Sequence, residues 1–490
     1  MNPYLRQLIL FGGPFLFLIF QLIGCPSGMP LEAYDVLCVT LWMALWWVTE
    51  VVPISVTALL PIILFPLTGA VDIETTTAAY GHKYVFLYLG GFMLAVAIEK
   101  WDLHKRIALS IIKMIGVNIK YIILGFMLAT AFLSMWISNT ATSVMMLPIG
   151  TAIITQLKDN PGSSKTEIKT LGKALMLSIA YSASIGGIAT LIGTPPNLVF
   201  AGIVQEIYGI EISFLKWLML GLPLSVLLLF ICWKYLTSKA FKFEHAELPG
   251  GKQEINRLVN ELGKITAQEK RVLVIFILTA LCWISRSYLL QPIFPFLDDT
   301  IIAMIAAVLL FIIPSGKPSV KLISWEEAVK IPWGIILLFG GGMALAKGFS
   351  DSGLAVWIGQ QLTNLENLPL IVLVVVLIAS VNFLTEVTSN LATTAMLLPI
   401  LAPMSLALGL HPYFLMVGAT LAASCAFMLP VATPPNAVVF GSGYLRIPDM
   451  MKAGIWMNIV SIIILSLIVY YALPLLWDFD PEVIPRKFGN

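Results

Sequence analysis

S-N-T-A-T-S-V-M-M-L-P-I, from Ser138 to Ile149, returns 251 positions later as S-N-L-A-T-T-A-M-L-L-P-I, from Ser389 to Ile400. Both are polar interruptions inside long apolar runs. Each is followed by a second shared element, G-T-P-P-N at Gly193 to Asn197 and A-T-P-P-N at Ala432 to Asn436. Each is preceded by a third, Gly90-Gly91-Phe92-Met93 against Gly340-Gly341-Gly342-Met343. Matches in the same order make one half of the chain a repeat of the other.

The chain is 59% hydrophobic and only 11% charged, with a mean hydropathy of +0.92. That composition belongs to an all-α polytopic membrane protein, because no soluble core can bury so much apolar surface. The net charge of +2 gives no electrostatic case for nucleic acid. Five scattered cysteines (Cys25, Cys38, Cys232, Cys282, Cys425) form no C-x-x-C pair, and the four histidines are isolated. No disulfide or zinc centre is expected. A membrane-embedded hydrolase would need a nucleophile with its base, and no Ser/His or Cys/His set lies near either motif, so no enzyme is expected.

A first span is expected within residues 1–28, over about 8–24; L-I-G-C at Leu22 to Cys25 also has the form of a lipoprotein cleavage site, a competing reading. Further spans fall at about 35–50, 53–70, 84–100, 173–204, 214–236, 271–290, 299–314, 332–349, 413–446 and 453–476, giving eleven transmembrane helices. Residues 121–155 and 370–404 are each too long for one span and each broken by Ser-Asn. They read as two re-entrant helical hairpins, since irregular backbone at membrane depth survives only where protein encloses it. Residues 29–240 and 271–490 then form the two repeats, joined by a cytoplasmic linker, 241–270, with a break at Leu248-Pro249-Gly250-Gly251 and an amphipathic stretch from Ile255 to Ile265.

Basic residues set the orientation. Lys100, Lys105, Arg106, Lys113 and Lys120 precede the first hairpin, and Lys158, Lys165, Lys169 and Lys173 follow it. The connections at 25–34, 205–213, 350–369 and 403–412 contain neither Lys nor Arg. The amino terminus is therefore expected in the cytoplasm. An odd number of crossings separates the hairpins, so the repeats are inverted and the two Ser-Asn tips converge on the midplane, the architecture of a secondary transporter.

The expected lining is neutral. It offers hydroxyls (Ser134, Ser138, Thr140, Thr194, Thr385, Ser389, Thr433), the carboxamides of Asn139 and Asn390, and carbonyls near Gly193 and Ala432 that the following prolines deprive of helical partners. Neutral oxygens suit a hard monovalent cation such as sodium. Helix amino ends at the same breaks favour an anion. No Arg, Lys or His lies within either motif pair, so bound sodium would supply the missing positive charge, which favours symport over exchange.

These motifs, with W-W-V-T-E-V-V-P-I-S-V-T-A-L-L-P from Trp46 to Pro61, resemble the divalent anion:sodium symporter family, the INDY-type di- and tricarboxylate transporters. The resemblance implies an elevator-type transporter, a homodimer in the inner or plasma membrane, importing succinate, fumarate or malate with sodium. It implies one sodium site from Ser134, Ser138, Asn139 and Gly193, and a second from Thr385, Ser389, Asn390 and Ala432. Substrate would meet Ser138, Asn139, Thr140, Thr194 and Pro195 on one side and Ser389, Asn390, Thr433 and Pro434 on the other. Leu391 departs from the family's small polar residue or proline, with Thr393 a candidate to compensate, and this leaves citrate and sulfate open. A sodium-independent exchanger and an anion channel are the competing mechanisms.

Three charges are expected outside this site. Glu386 has Met135 as its counterpart and is read as solvated towards the outer mouth, with a coupling role as the alternative; Glu50 is read as a helix-end residue, and Lys347 as snorkelling to the interface.

Overall fold

The fold is described from a computed structural model covering residues 3–116, 118–158, 164–243, 251–317, 320–361, 369–484 and 488. The regular structure of these residues is helical apart from isolated bridges, among them an antiparallel one between Pro314 and Lys321. The first half comprises α1 (Pro3–Ile23), α2 (Leu31–Thr49), α3 (Ile54–Thr57), α4 (Leu60–Thr68), α5 (Ile73–Ala78), α6 (Lys83–Lys100), α7 (Leu103–Ile115), α8 (Ile119–Ser134), α9 (Asn139–Lys158), α10 (Lys165–Ile188), α11 (Pro195–Tyr208) and α12 (Phe214–Tyr235). After α13 (Gly251–Glu261) come α14 (Ala267–Ser285), α15 (Asp299–Ile312), α16 (Trp325–Ala328), α17 (Trp333–Asp351), α18 (Leu354–Gln361), α19 (Leu370–Leu384), α20 (Asn390–Ala407), α21 (Pro412–Ala423), α22 (Pro434–Phe440), α23 (Ile447–Leu467) and α24 (Leu473–Trp477).

Nine described helices are long and apolar enough to cross a membrane, against eleven expected crossings. Interruptions of the backbone account for much of the difference. The 53–70 segment divides into α3 and α4 before Pro61, and 413–446 divides into α21, a non-helical stretch and α22. The 299–314 segment holds only the 14-residue α15. Conversely Asn390–Ala407, expected as one arm of a hairpin, is itself of spanning length.

The repeat seen in sequence is a repeat of helices. A long helix is followed by a short one in each half, α6 by α7 and α17 by α18, and then by helix, break, helix: α8 and α9, then α19 and α20. Both arms of the first pair pack on α10, and both arms of the second on α21. Close packing of α10 on α8 depends on Gly186, where a Cβ would overlap the Ala131 carbonyl carbon and Cα. Capping boxes start α10 at Ser164/Glu167 and α14 at Thr266/Glu269.

The expected amphipathic linker helix exists slightly earlier, as α13, and packs on α7 and α9. Arg106 ties down its far end, donating to Glu269 and to the carbonyls of Leu262 and Gly263. Leu248 to Gly250 of the expected break lie outside the described residues. Glu50 is the helix-end residue expected of it, closing α2 in a left-handed conformation at φ 47°. Lys347 does not simply snorkel: it pairs with Glu206 at 3.4 Å and Asp351 at 3.3 Å.

Gly186→Val is expected to destabilise the purified protein by about 1–3 kcal/mol, because the backbone of α8 cannot yield as a side chain would. The unfolding temperature in detergent measures it, and an unchanged value would show that α8 is free to shift.

Candidate functional site

The Ser-Asn and T-P-P-N motifs of both halves sit at helix starts. Asn139 begins α9, Pro195 α11, Asn390 α20 and Pro434 α22. Proline is suited to the first helical turn, where its missing N–H is not needed. The halves interlock at these starts: α22 packs on α9, and α11 packs on α20, so each T-P-P-N helix lies against the Ser-Asn helix of the other half. This brings the helices that carry the predicted site residues of the two halves against one another.

In the first half Ser134, fully buried, donates to the Ala183 carbonyl (2.7 Å), and its Oγ lies 2.6 Å from the Asn139 carboxamide. In the second, Thr385, equally buried, donates to the Asn390 carboxamide oxygen (2.7 Å) and the Ala423 carbonyl (3.0 Å). Hydroxyl, carboxamide and a carbonyl of the neighbouring helix, α10 or α21, thus recur in both halves. Around Asn139 the oxygens crowd. The inward-facing carboxamide atom lies 2.6 Å from Ser134 Oγ and 3.2 Å from each of the Ala183 and Gly193 carbonyl oxygens. Turned nitrogen-inward, the amide donates to all three; turned oxygen-inward, four oxygens face one another and call for a cation. Gly187 makes room for this group, since a Cβ there would stand 2.5 Å from the carboxamide.

The T-P-P-N elements behave as the missing proline N–H groups require. Among the described residues no backbone N–H donates to the Gly193 or Ala432 carbonyl; the Asn197 N–H turns to Thr194 O and the Asn436 N–H to Thr433 Oγ1. Thr194 and Thr433 share an extended conformation, at φ −141° in both. The asparagine side chains, which sequence reasoning left without a role, brace the broken segments. Asn197 Nδ2 donates to the carbonyls of Gly187, Ile188 and Thr190, and Asn436 Nδ2 to those of Ala426 and Leu429. Their position in a repeated motif was the available signal.

Ser138, Asn139, Pro195, Ser389 and Asn390 are half-buried, Thr140 and Pro434 are exposed, and Thr194 and Thr433 are buried. Ser138 caps α9 through the Ala141 N–H (3.3 Å). The amide nitrogen of Asn390 takes no protein partner among the described residues. The same holds for the hydroxyls of Thr140, Thr194 and Ser389, which leaves neutral donors for a ligand. Leu391 is buried in the apolar core rather than lining the site. Thr393 does not replace it, because its hydroxyl is shared with Thr388 at 2.6 Å and both are buried.

Glu386 corrects the expectation drawn from sequence. It is 3% exposed, not solvated. Its carboxylate accepts from the backbone N–H groups of Phe427 (2.8 Å), Met428 (3.0 Å) and Leu429 (3.0 Å) and from Asn458 Nδ2 (2.7 Å). The break between α21 and α22 leaves those N–H groups without helical acceptors, and Glu386 satisfies them. An ionisable residue inside an apolar run was visible in sequence; what it would hold was not.

The sequence profile of the sodium:sulfate symporter transmembrane region matches residues 7–477. The chain belongs to the divalent anion:sodium symporter family. It is similar to the sodium-dependent dicarboxylate transporter SdcS of Staphylococcus aureus, at 48% identity over 97% of this chain and 93% of the relative, in strains bovine RF122 / ET3-1 and USA300 alike. Its fold is similar to those of the Alcanivorax borkumensis YdaH transporter (TM-score 0.58, 12% identity, 83% of this chain and 89% of that one) and Neisseria gonorrhoeae MtrF (TM-score 0.56, 11% identity, 93% and 98%). This membrane protein is a transporter and not an enzyme.

Glu386→Gln removes the charge and turns an amide N–H towards donors. It is expected to cost about 2–3 kcal/mol of stability, and Asn458→Leu, which leaves the three backbone donors in place, about 1 kcal/mol. Equal unfolding temperatures for the two variants would remove the carboxylate from its bracing role.

Proposed function

We propose that this chain imports a dicarboxylate, with succinate, fumarate and malate as preferred substrates, coupled to sodium by an elevator movement. The observation that carries the reading is the matched hydroxyl, carboxamide and carbonyl set in the two halves. In this reading Ser134, Ser138, Asn139 and the Gly193 carbonyl hold one sodium ion, and Thr385, Ser389, Asn390 and the Ala432 carbonyl the other. The Ala183 and Ala423 carbonyls, already bonded to Ser134 and Thr385, stand beside them. Near-full-length similarity to a sodium-dependent dicarboxylate transporter supports both the ion and the substrate class.

The chemistry follows from charge. A dianion entering a site with no basic side chain would lose hydration without compensation. Two sodium ions in the neutral cages would balance it, and the helix starts of α9, α11 and α20 would add aligned N–H groups. Each species thereby raises the affinity for the other, and that coupling is reciprocal. Unpartnered donors on Thr140, Thr194, Ser389 and Asn390 would orient the carboxylates. Eleven crossings with two re-entrant hairpins, the repeat boundaries at 29–240 and 271–490, a cytoplasmic amino terminus and a homodimer complete the proposal.

Radiolabelled succinate uptake into proteoliposomes tests it. Accumulation is expected with an inward sodium gradient and not with an equal potassium gradient, and should be lost in Asn139→Ala with Asn390→Ala. Uptake that needs preloaded dicarboxylate and ignores sodium would make the protein an exchanger; sodium-driven uptake of sulfate or citrate alone would replace the substrate. Thr385→Ala should raise the sodium concentration for half-maximal uptake by about tenfold, from the loss of one buried hydroxyl contact, while Thr385→Ser should stay near wild type. An identical sodium dependence in all three proteins would take Thr385 out of the cation site.

A further inference from the structure

A groove outside the transport site runs between the end of α12 and the start of α23, enclosing a cavity of about 540 Å³. Its two ends differ in chemistry. At one end stand Lys239, in the π-turn that extends α12 over Leu236–Ala240, and Lys452, in the second turn of α23. Asp449 also lines this end, but it is held by Lys173 at 2.5 Å. Two lysines of the lining, Lys239 and Lys452, are thus without an acidic partner among the described residues.

Moving away from that end, the walls become apolar. Lys452, Trp456 and Val460 follow one another at four-residue spacing on one face of α23, so the charge, an aromatic ring and an aliphatic surface are stacked in order. Trp456 is 56% exposed, and the same face continues outward through Ile463 and Leu467, both about half exposed. On the opposite wall Tyr235 stands one turn before Lys239 and donates to the Ala453 carbonyl (3.2 Å), clamping α12 to α23. Both helices belong to long apolar spans, and the lysines mark their basic ends. Cation, aromatic belt and aliphatic wall repeat the order of headgroup, interface and acyl chain in a phospholipid.

We infer that this groove binds an anionic phospholipid, its phosphate between Lys239 and Lys452 and one acyl chain along Trp456 and Val460. The ligand bridges the end of α12 and the beginning of α23, elements that flank α10 and α21 respectively. It is a lipid site distinct from the cages built on Asn139 and Asn390.

Native mass spectrometry of the purified full chain, offered phosphatidylglycerol, phosphatidylcholine or soluble glycerol phosphate, tests the assignment. Wild type should retain phosphatidylglycerol over phosphatidylcholine by roughly tenfold or more, as two lysines near an anionic headgroup imply. Lys239→Gln with Lys452→Gln should abolish the preference, and Lys113→Gln with Lys330→Gln, which removes two exposed lysines elsewhere, should keep it. An unchanged preference in the groove variant, or an equal loss in both variants, would overturn the site. Displacement of phosphatidylglycerol by glycerol phosphate at equal concentration would overturn the lipid assignment in favour of a free phosphate site. Should the groove variant fail to purify, a photoactivatable phosphatidylglycerol on wild-type protein decides: labelling at α23 around Trp456 supports the proposal, and labelling confined to other helices refutes it.

Discussion

Helices broken in a membrane interior must find partners for the backbone groups they release, and that constraint organises this molecule. The breaks after α10 and α21 release carbonyls and amides among largely buried residues. Each break is held from within by an asparagine, Asn197 or Asn436, whose amide gathers the carbonyls of the turn it follows. From the preceding helix pair Ser134 and Thr385 reach across to carbonyls of the helices that lead into the breaks, Ala183 of α10 and Ala423 of α21. The same hydroxyls orient the carboxamides of Asn139 and Asn390. Stability and the proposed ligand set therefore use the same few atoms, so the groups that satisfy the breaks also define their polar interior.

The halves diverge where this constraint is met differently. α10 continues to Ile188, whereas α21 stops at Ala423 and leaves a non-helical stretch before α22. The earlier stop frees the N–H groups of Phe427, Met428 and Leu429, and three adjacent donors aimed at one place are best met by a carboxylate. Glu386 provides it, with Asn458 completing the shell. In the first half the corresponding position is Met135, whose carbonyl accepts from Thr190 (2.5 Å), and Trp217 Nε1 donates to the Ile188 carbonyl (2.9 Å). A longer unwound segment thus explains why one repeat carries an acid and the other does not.

Much of this was legible in the chain because the motifs are where helices begin. Proline after Thr194 and Thr433, and the Ser-Asn pairs at Asn139 and Asn390, announce starts that local chemistry alone dictates. The long apolar runs likewise declared a membrane protein. Three-dimensional partners were less accessible. Nothing local to Glu386 says that α21 unwinds early, and nothing local to Lys347 says that Glu206 and Asp351 stand beside it. Thr393 looked available for a ligand until Thr388, five residues earlier, proved to share its hydroxyl. Crossing number was also hard to read, because a span interrupted at Pro61 is as apolar as an uninterrupted one.

The buried carboxylate bears on how a duplicated fold comes to treat two like ligands differently. The two proposed cages share their donor types, and a pair of equal sites would bind two cations with similar affinity. Glu386 adjoins Thr385, the hydroxyl of the second cage, in sequence, and its counterpart beside Ser134 is the uncharged Met135. A carboxylate engaged by four hydrogen-bond donor groups has little freedom left to ligate, so it acts on the neighbouring cage through its field rather than through a bond. Field strength in a low-dielectric interior is sufficient to separate the affinities of otherwise matched sites. The structural need to satisfy one unwound segment thus places a buried acid next in sequence to the hydroxyl of one proposed cage and leaves the other without one.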